Sequence, residues 1–337
     1  MRDDIKRIVI GSKGDGNVSV TGDPSIDTNI HIETKKGYKG KITITNTWLS
    51  NVKNRPCIDI AENSEVTLVL EGDNTLDMGG IRVHETASLT VVGDGRLTIN
   101  LDANEYFGIG NGIGILHGDM VFNQSGRITI NAHGQTGVGI GSGSGGNISI
   151  IQGQYRLNLQ SDVGLGIGSM YTDSSMEIHD CDIGMELTLA RGAAIGSIGG
   201  NSDVTCYKSS MKFFLSGLEL TGIGSVGCER AKIFVHDTSM IINVHGERCS
   251  AIAALEGSTE FRIERAALRI AASGEQALGI GGFTGDNSIS QVNADTHIRL
   301  DTPVNVSDYL KREQIDPLTG RFVFTVNGED YISNVIQ

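Results

Sequence analysis

Residues 137–150 read GVGIGSGSGGNISI, and the first six of them return along the chain. The copies are GLGIGS at 164–169, GAAIGS at 192–197, LTGIGS at 220–225, CSAIAA at 249–254 and ALGIGG at 277–282. The central isoleucines, Ile140, Ile167, Ile195, Ile223, Ile252 and Ile280, are separated by 27, 28, 28, 29 and 28 residues. Going backwards, Ile113, Ile81 and Ile58 extend the series with one longer and one shorter step. A fixed period of this length is the mark of a repeat architecture.

Two further apolar columns keep the same period. Ile148, Met176, Val204, Ile233, Phe261 and Ile289 form one; Leu157, Met185, Phe213, Ile241 and Leu268 form the other, with Leu159, Leu187 and Leu215 two residues on. Within each repeat the apolar residues alternate, which is strand periodicity and not helix periodicity. Turn residues such as SGSGGN, YTDSS and GGNSD separate the runs. Three short strands per 28 or so residues describe one rung of a parallel β-helix, each rung about 4.8 Å from the next. A propeller blade needs four strands in about 40 residues, and a leucine-rich repeat needs its Leu/Asn signature; neither is present.

The expected fold is therefore all-β, a right-handed single-stranded parallel β-helix of about ten rungs between Ile30 and Leu300. Residues 1–49 are expected to form an N-terminal cap with irregular first rungs, 50–301 the β-helix and 302–337 a C-terminal cap. In that cap SDYLKREQI reads as a short helix and RFVFTVNGEDYI as a hairpin around Asn327-Gly328.

Composition narrows the class. Of 337 residues 46 are glycine and only 4 proline, which excludes collagen-like and disordered Pro/Gly chains. A net charge of −13 argues against a nucleic-acid partner, and no apolar run approaches the roughly 18 residues of a membrane helix. The start, MRDDIKRIVIGSKGDG, has no apolar leader, so the chain as written is expected in the cytoplasm, or outside the cell if a leader has been trimmed. Cys57, Cys181, Cys206, Cys228 and Cys249 form no CxxC pair and read as reduced structural thiols. No metal site and no cofactor is expected.

The run GVGIGSGSGGNISI, with VTLVLEGDNTL, SLTVVGDGRLTI and the later copies, resembles the Gly-Ile-Gly repeat β-helices of bacterial carbohydrate-associated proteins and, more broadly, the pectin-lyase-like superfold. The resemblance spans roughly Ile58 to Ile289. It implies the fold and a carbohydrate partner. It carries over no catalytic motif, because that superfold hosts lyases, glycosidases, tailspikes and adhesins alike.

If each isoleucine faces inward, simple alternation turns both neighbours outward. Those positions are Gly139, Gly141, Gly166, Gly168, Gly196, Gly222, Gly224, Gly279 and Gly281, with Ala194, Ala251 and Ala253. They would make a lane bare of side chains about 24 Å long at about 4.8 Å per rung. Glycine in a strand costs roughly 0.5–1 kcal/mol relative to alanine, so the lane needs a reason. A covering loop or tight bend, a second subunit packed on it as a homo-oligomer, or a ligand lying on the backbone would each supply one. Ser142, Ser169, Ser197 and Ser225 follow the triplets and read as an inward hydroxyl ladder without the His/Asp partners of a nucleophile.

Two polar constellations are candidates for ligand binding or acid/base work. Asp59, Arg82 and His84 lie at the early end of the lane, where the stretch with Asp102, Glu105 and Tyr106 is expected to fold over them as a wall. Asp180, Lys208, His236 and Glu264 recur every 28 residues and are expected to stack at one corner. The first reads foremost as a solvated polar patch and the second as an ion-pair ladder capping the strand ends. The end carboxylates of the second, three rungs or about 14 Å apart, exceed the roughly 5–9.5 Å of a glycosidase pair. Two functions follow: a carbohydrate-recognising or self-assembling module without catalysis, and a glycosidase or lyase acting on a carbohydrate. No nucleic-acid or membrane partner is expected.

Overall fold

The computed structural model describes residues 6–11, 16–52, 55–291, 296–301, 322–326 and 329–332. These residues form strands and turns without a helix, wound into a parallel β-solenoid of about ten turns. The SDYLKREQI segment lies outside the described residues. Phe322–Val326 adds to the last rung in parallel and Glu329–Ile332 returns antiparallel to it.

The isoleucine column is the spine of the stack. Ile140, Ile167, Ile195, Ile223, Ile252 and Ile280 pair in turn, rung upon rung. Towards the N-terminus the column continues through Ile109, Ile81, Ile58 and Ile32. Ile109, not Ile113, therefore occupies the column. The sequence FGIGNGIG offers both, and only the first follows a strand, Glu105–Gly110. The Ile148–Met176–Val204–Ile233–Phe261–Ile289 column pairs as read from the sequence.

The third column slips. Phe213 pairs with Ile242 and Ile242 with Ile270, so Ile241 and Leu268 are not its members. The cause is local. The loop 226–230 holds one residue more than its counterpart 198–201, because Ser197 and Ser202 face Ser225 and Ala231. A period of 28 carried through that loop lands one residue early, and a one-residue slip in a strand exchanges inside for outside.

The same stacking explains the glycines, and it corrects the bare lane. Gly139, Gly141, Gly166, Gly168, Gly196, Gly222, Gly224, Gly279 and Gly281 are all buried. Val138 pairs with Leu165 and Ile140 with Ile167, while Gly139 is skipped; the strand bends there and alternation breaks. A Cβ on Gly139 would lie 2.6 Å from Leu157 Cδ2, inside the main core, and one on Gly166 2.7 Å from Met185 Sδ. At Gly168 φ is +135° and a Cβ would lie 2.0 Å from the carbonyl oxygen of Gly196, so only glycine fits the bend.

Outside the bend the chain closes on itself. Met170, Ile198, Val226 and Leu255 pack with Val138, Leu165, Ala193 and Ala253 in a second buried cluster, separate from the main core. Arg191 bonds Glu219 at 3.1 Å, and Arg248 bonds Glu256 at 2.6 Å beneath the Phe283 ring. The serines brace the loops over this cluster and do not bond one another. Ser142 Oγ donates to Gly145 O at 3.1 Å, Ser197 Oγ to Thr172 O at 3.2 Å and Ser225 Oγ to Gly200 O at 2.8 Å. All five cysteines are free thiols, and burial pushes Cys57, Cys181 and Cys206 up to about 12.

Candidate functional site

A groove of about 800 Å³ runs along the solenoid over eight rungs. One wall is the column Asp77, Asn100, Asn131, Asn158, Glu186, Phe214, Asn243 and Ala271. The other is Asp102, His133, Gln160, Thr188, Ser216, His245 and Ser273. Between them runs an apolar floor of Leu101, Ala132, Leu159, Leu187, Leu215 and Val244, none more than 7% exposed. Strand alternation makes this layout: the floor residue of each rung turns to the core and its two neighbours turn out. Seven rung spacings of about 4.8 Å give the groove a length of about 34 Å.

Its walls are wired along the axis. Asn131 Nδ2 donates to Asn100 Oδ1 at 3.0 Å, and Asn158 Nδ2 donates to Asn131 Oδ1 at 2.8 Å. Each of these amides keeps a second N–H and a second lone pair. Opposite, His133 Nδ1 lies 3.6 Å from Asp102 Oδ1, Thr188 and Ser216 share a hydrogen bond of 3.4 Å, and His245 Nδ1 meets Ser273 Oγ at 3.0 Å. The arrangement is a series of paired donors and acceptors along the axis over an apolar strip, interrupted in one wall by Phe214 and Ala271. The sequence analysis passed over it. The signal is the alignment of TINLD at 98–102, TINAH at 129–133 and RLNLQ at 156–160, whose outward residues are polar in every copy.

Asp59, Arg82 and His84 do gather: Asp59 and Arg82 stand in the column that continues as Gly110 and Gly141, and His84 follows two residues on. Arg82 grips Asp59 through both Nε (2.7 Å) and Nη2, and His84 Nε2 lies 3.8 Å from Asp59 Oδ1. The Asp59 carboxylate holds the Arg82 guanidinium above its ordinary range. Acid and cation are thereby spent on each other. A cleft of about 450 Å³ beside His84 is walled by Asn111 and Ile115. The expected wall is elsewhere: Tyr106 is buried, its ring occupies the space over Gly137, and its hydroxyl donates to Ser161 Oγ at 3.3 Å. Burial pushes that phenol up to about 12. Asp102 lines the long groove instead, and Glu105 opens the strand that carries Tyr106.

The second constellation does not stack as spaced. Past the longer loop, His236 and Glu264 fall in the column His179–Tyr207–His236–Glu264. Asp180 and Lys208 instead share a corner with Asp237 and Arg265, all four in the left-handed region at φ of 46°, 46°, 49° and 42°. Their amide nitrogens confirm the stack: Asp180 N donates to Tyr207 O, Lys208 N to His236 O and Asp237 N to Glu264 O, at 3.0–3.1 Å. Arg265 grips Asp237 at 2.7 and 2.9 Å and reaches Glu264 at 2.9 Å. His236 stacks on Tyr207 with centroids 4.6 Å apart and lies 3.3 Å from Glu264. His236, Asp237, Glu264 and Arg265 pair among themselves, and Lys208 lies over the Tyr207 ring, so Asp180, Lys208, His236 and Glu264 share one corner but stand in two columns.

Among the described residues no group of three or more His, Cys, Asp or Glu side chains is arranged to hold a metal ion. No protein-family model matches the chain, and no curated protein or solved structure matches it either.

Proposed function

We propose that the protein is a carbohydrate-recognising β-solenoid whose long groove holds an extended glycan chain. The observation that carries this reading is the groove itself, with two largely polar walls, hydrogen-bonded along the axis at Asn100, Asn131 and Asn158, over an apolar floor. Sugar rings present hydroxyls at their edges and C–H groups on their faces. A polar wall beside an apolar strip answers both, and one phenyl ring, Phe214, stands in that wall with Lys212 over it. The reading agrees with the resemblance to the bacterial carbohydrate-associated β-helices. Self-assembly through the glycine lane loses its support, since those glycines are buried within the chain's own corner.

A second reading, catalysis in the same groove, has one observation in its favour. Asp77 and Asp102 lie on neighbouring rungs two residues apart, which sets their Cα atoms about 8 Å apart at the usual strand and rung spacings. A panel of linear oligosaccharides, scored for binding by calorimetry and for cleavage by chromatography, separates the readings. Binding without cleavage is the expected result. Cleavage lost in Asp102→Asn moves the assignment to an enzyme, and absence of both removes the carbohydrate reading.

A further inference from the structure

The charge of the groove says which glycan. Its lining contains three carboxylates, Asp77, Asp102 and Glu186, and no lysine or arginine. Of the cations beside that wall, Arg156 is engaged by Asp182 Oδ2 at 2.6 Å, and Lys212 stands over the Phe214 ring at 5.0 Å, five rungs from Asp77. The chain as a whole carries −13, so the field at the groove mouth has the same sign. A chain of uronic acids would bring a carboxylate to nearly every rung of a groove whose lining holds three carboxylates and no lysine or arginine. The acids are concentrated at one end, where Asp77 and Asp102 occupy neighbouring rungs on opposite walls.

Resting on the carbohydrate reading, we propose that the groove selects a glycan bearing free amino groups, an amino-sugar polymer, with its ammonium groups at the Asp77 and Asp102 end. The neutral amides Asn100, Asn131 and Asn158 then hold the hydroxyls of the units that follow. Ammonium donates to carboxylate there while the apolar floor carries the ring faces, so charge sets selectivity and the floor and amides set the common affinity.

The test uses the full chain and three oligosaccharides of equal length: a glucosamine oligomer, its N-acetylated neutral form and a uronic-acid oligomer. The amino form should bind about five- to tenfold tighter than the neutral form, the amount two partly exposed ion pairs supply. Added salt should erase that margin, and the uronate should bind weakest. Asp77→Asn with Asp102→Asn should bring amino and neutral forms to equal affinity while circular dichroism stays unchanged. Equal binding of amino and neutral forms by the wild type, preference for the uronate, or a preference that survives in the double variant overturns the proposal and leaves the carbohydrate reading standing. Silence towards all three glycans overturns both.

Discussion

The glycine corner and the asparagine groove run along the same solenoid and use the same rung spacing to opposite ends. At the corner the repeated residue has no side chain because there is nowhere to put one: the next rung's carbonyl oxygen sits 2.0 Å from where a Cβ on Gly168 would be. In the groove the repeated residue keeps a polar side chain facing outward, and the amides bond each other along the axis at 2.8–3.0 Å. Strict repetition in a sequence thus marks the place where the backbone is most constrained. The outward-facing column of the groove is allowed to drift, from Asn100 through Glu186 to Phe214. In this chain the loudest motif is architecture and the quieter column is the candidate site.

The largest effect should come from breaking the corner. Gly168→Ala places a methyl group against Gly196 O in a conformation with φ of +135°, and an alanine held there costs of order 1–3 kcal/mol before any clash is relieved. Urea denaturation should show that loss or outright failure to fold. Asn158→Ala in the groove should stay within about 0.5 kcal/mol of the parent. Equal losses at the two positions would erase the distinction between them. Leu165→Ala, in the outer cluster and fully buried, should cost about 2–4 kcal/mol. A loss below about 1 kcal/mol would show that the outer cluster is loosely packed and that the bend alone closes the corner.

The groove should respond in the other coordinate. Asn131→Ala with Asn158→Ala removes two amides from the polar wall, and each hydrogen bond to a ligand hydroxyl is worth about 0.5–1.5 kcal/mol. Affinity for the bound glycan should fall about fivefold to a hundredfold with the denaturation midpoint nearly fixed. Glycan affinity unchanged in this double variant would place the ligand off the Asn wall.

These contrasts also locate what the sequence could and could not yield. Register was legible because apolar residues at fixed spacing must stack, and Ile140 through Ile280 do. Sidedness at the bend was not, because alternation assumes a straight strand and Gly139 sits where the strand turns. The ladder at the second corner failed for a different reason: one extra residue in 226–230 moves Asp237 and Arg265 into the places given to His236 and Glu264. The groove was missed because its residues are chemically plain one at a time. Asn131 becomes informative only when Asn100 and Asn158 are set above and below it.

The same second corner gives the smallest effect, and it separates a paired surface from an available one. Arg265 donates two hydrogen bonds to Asp237, and that holds the Asp237 carboxyl below its unfolded value of 3.8. The unfolded chain therefore binds this proton more readily, so stability rises with pH across the interval between the two values. Asp237's contribution is complete above about pH 4 and fades as pH falls through the lowered value. His236, Glu264 and Lys208 face the same pair, so the comparison must be made against a variant and not against pH alone. Arg265→Met should be less stable than the parent near neutrality, and the gap between their urea midpoints should narrow on going from roughly pH 6 to pH 2. The narrowing should be slight, because both partners face solvent and salt screens them. A gap that persists undiminished at the acid end would show that Arg265 holds the corner through its packing and its reach to Glu264 and not through the Asp237 carboxylate.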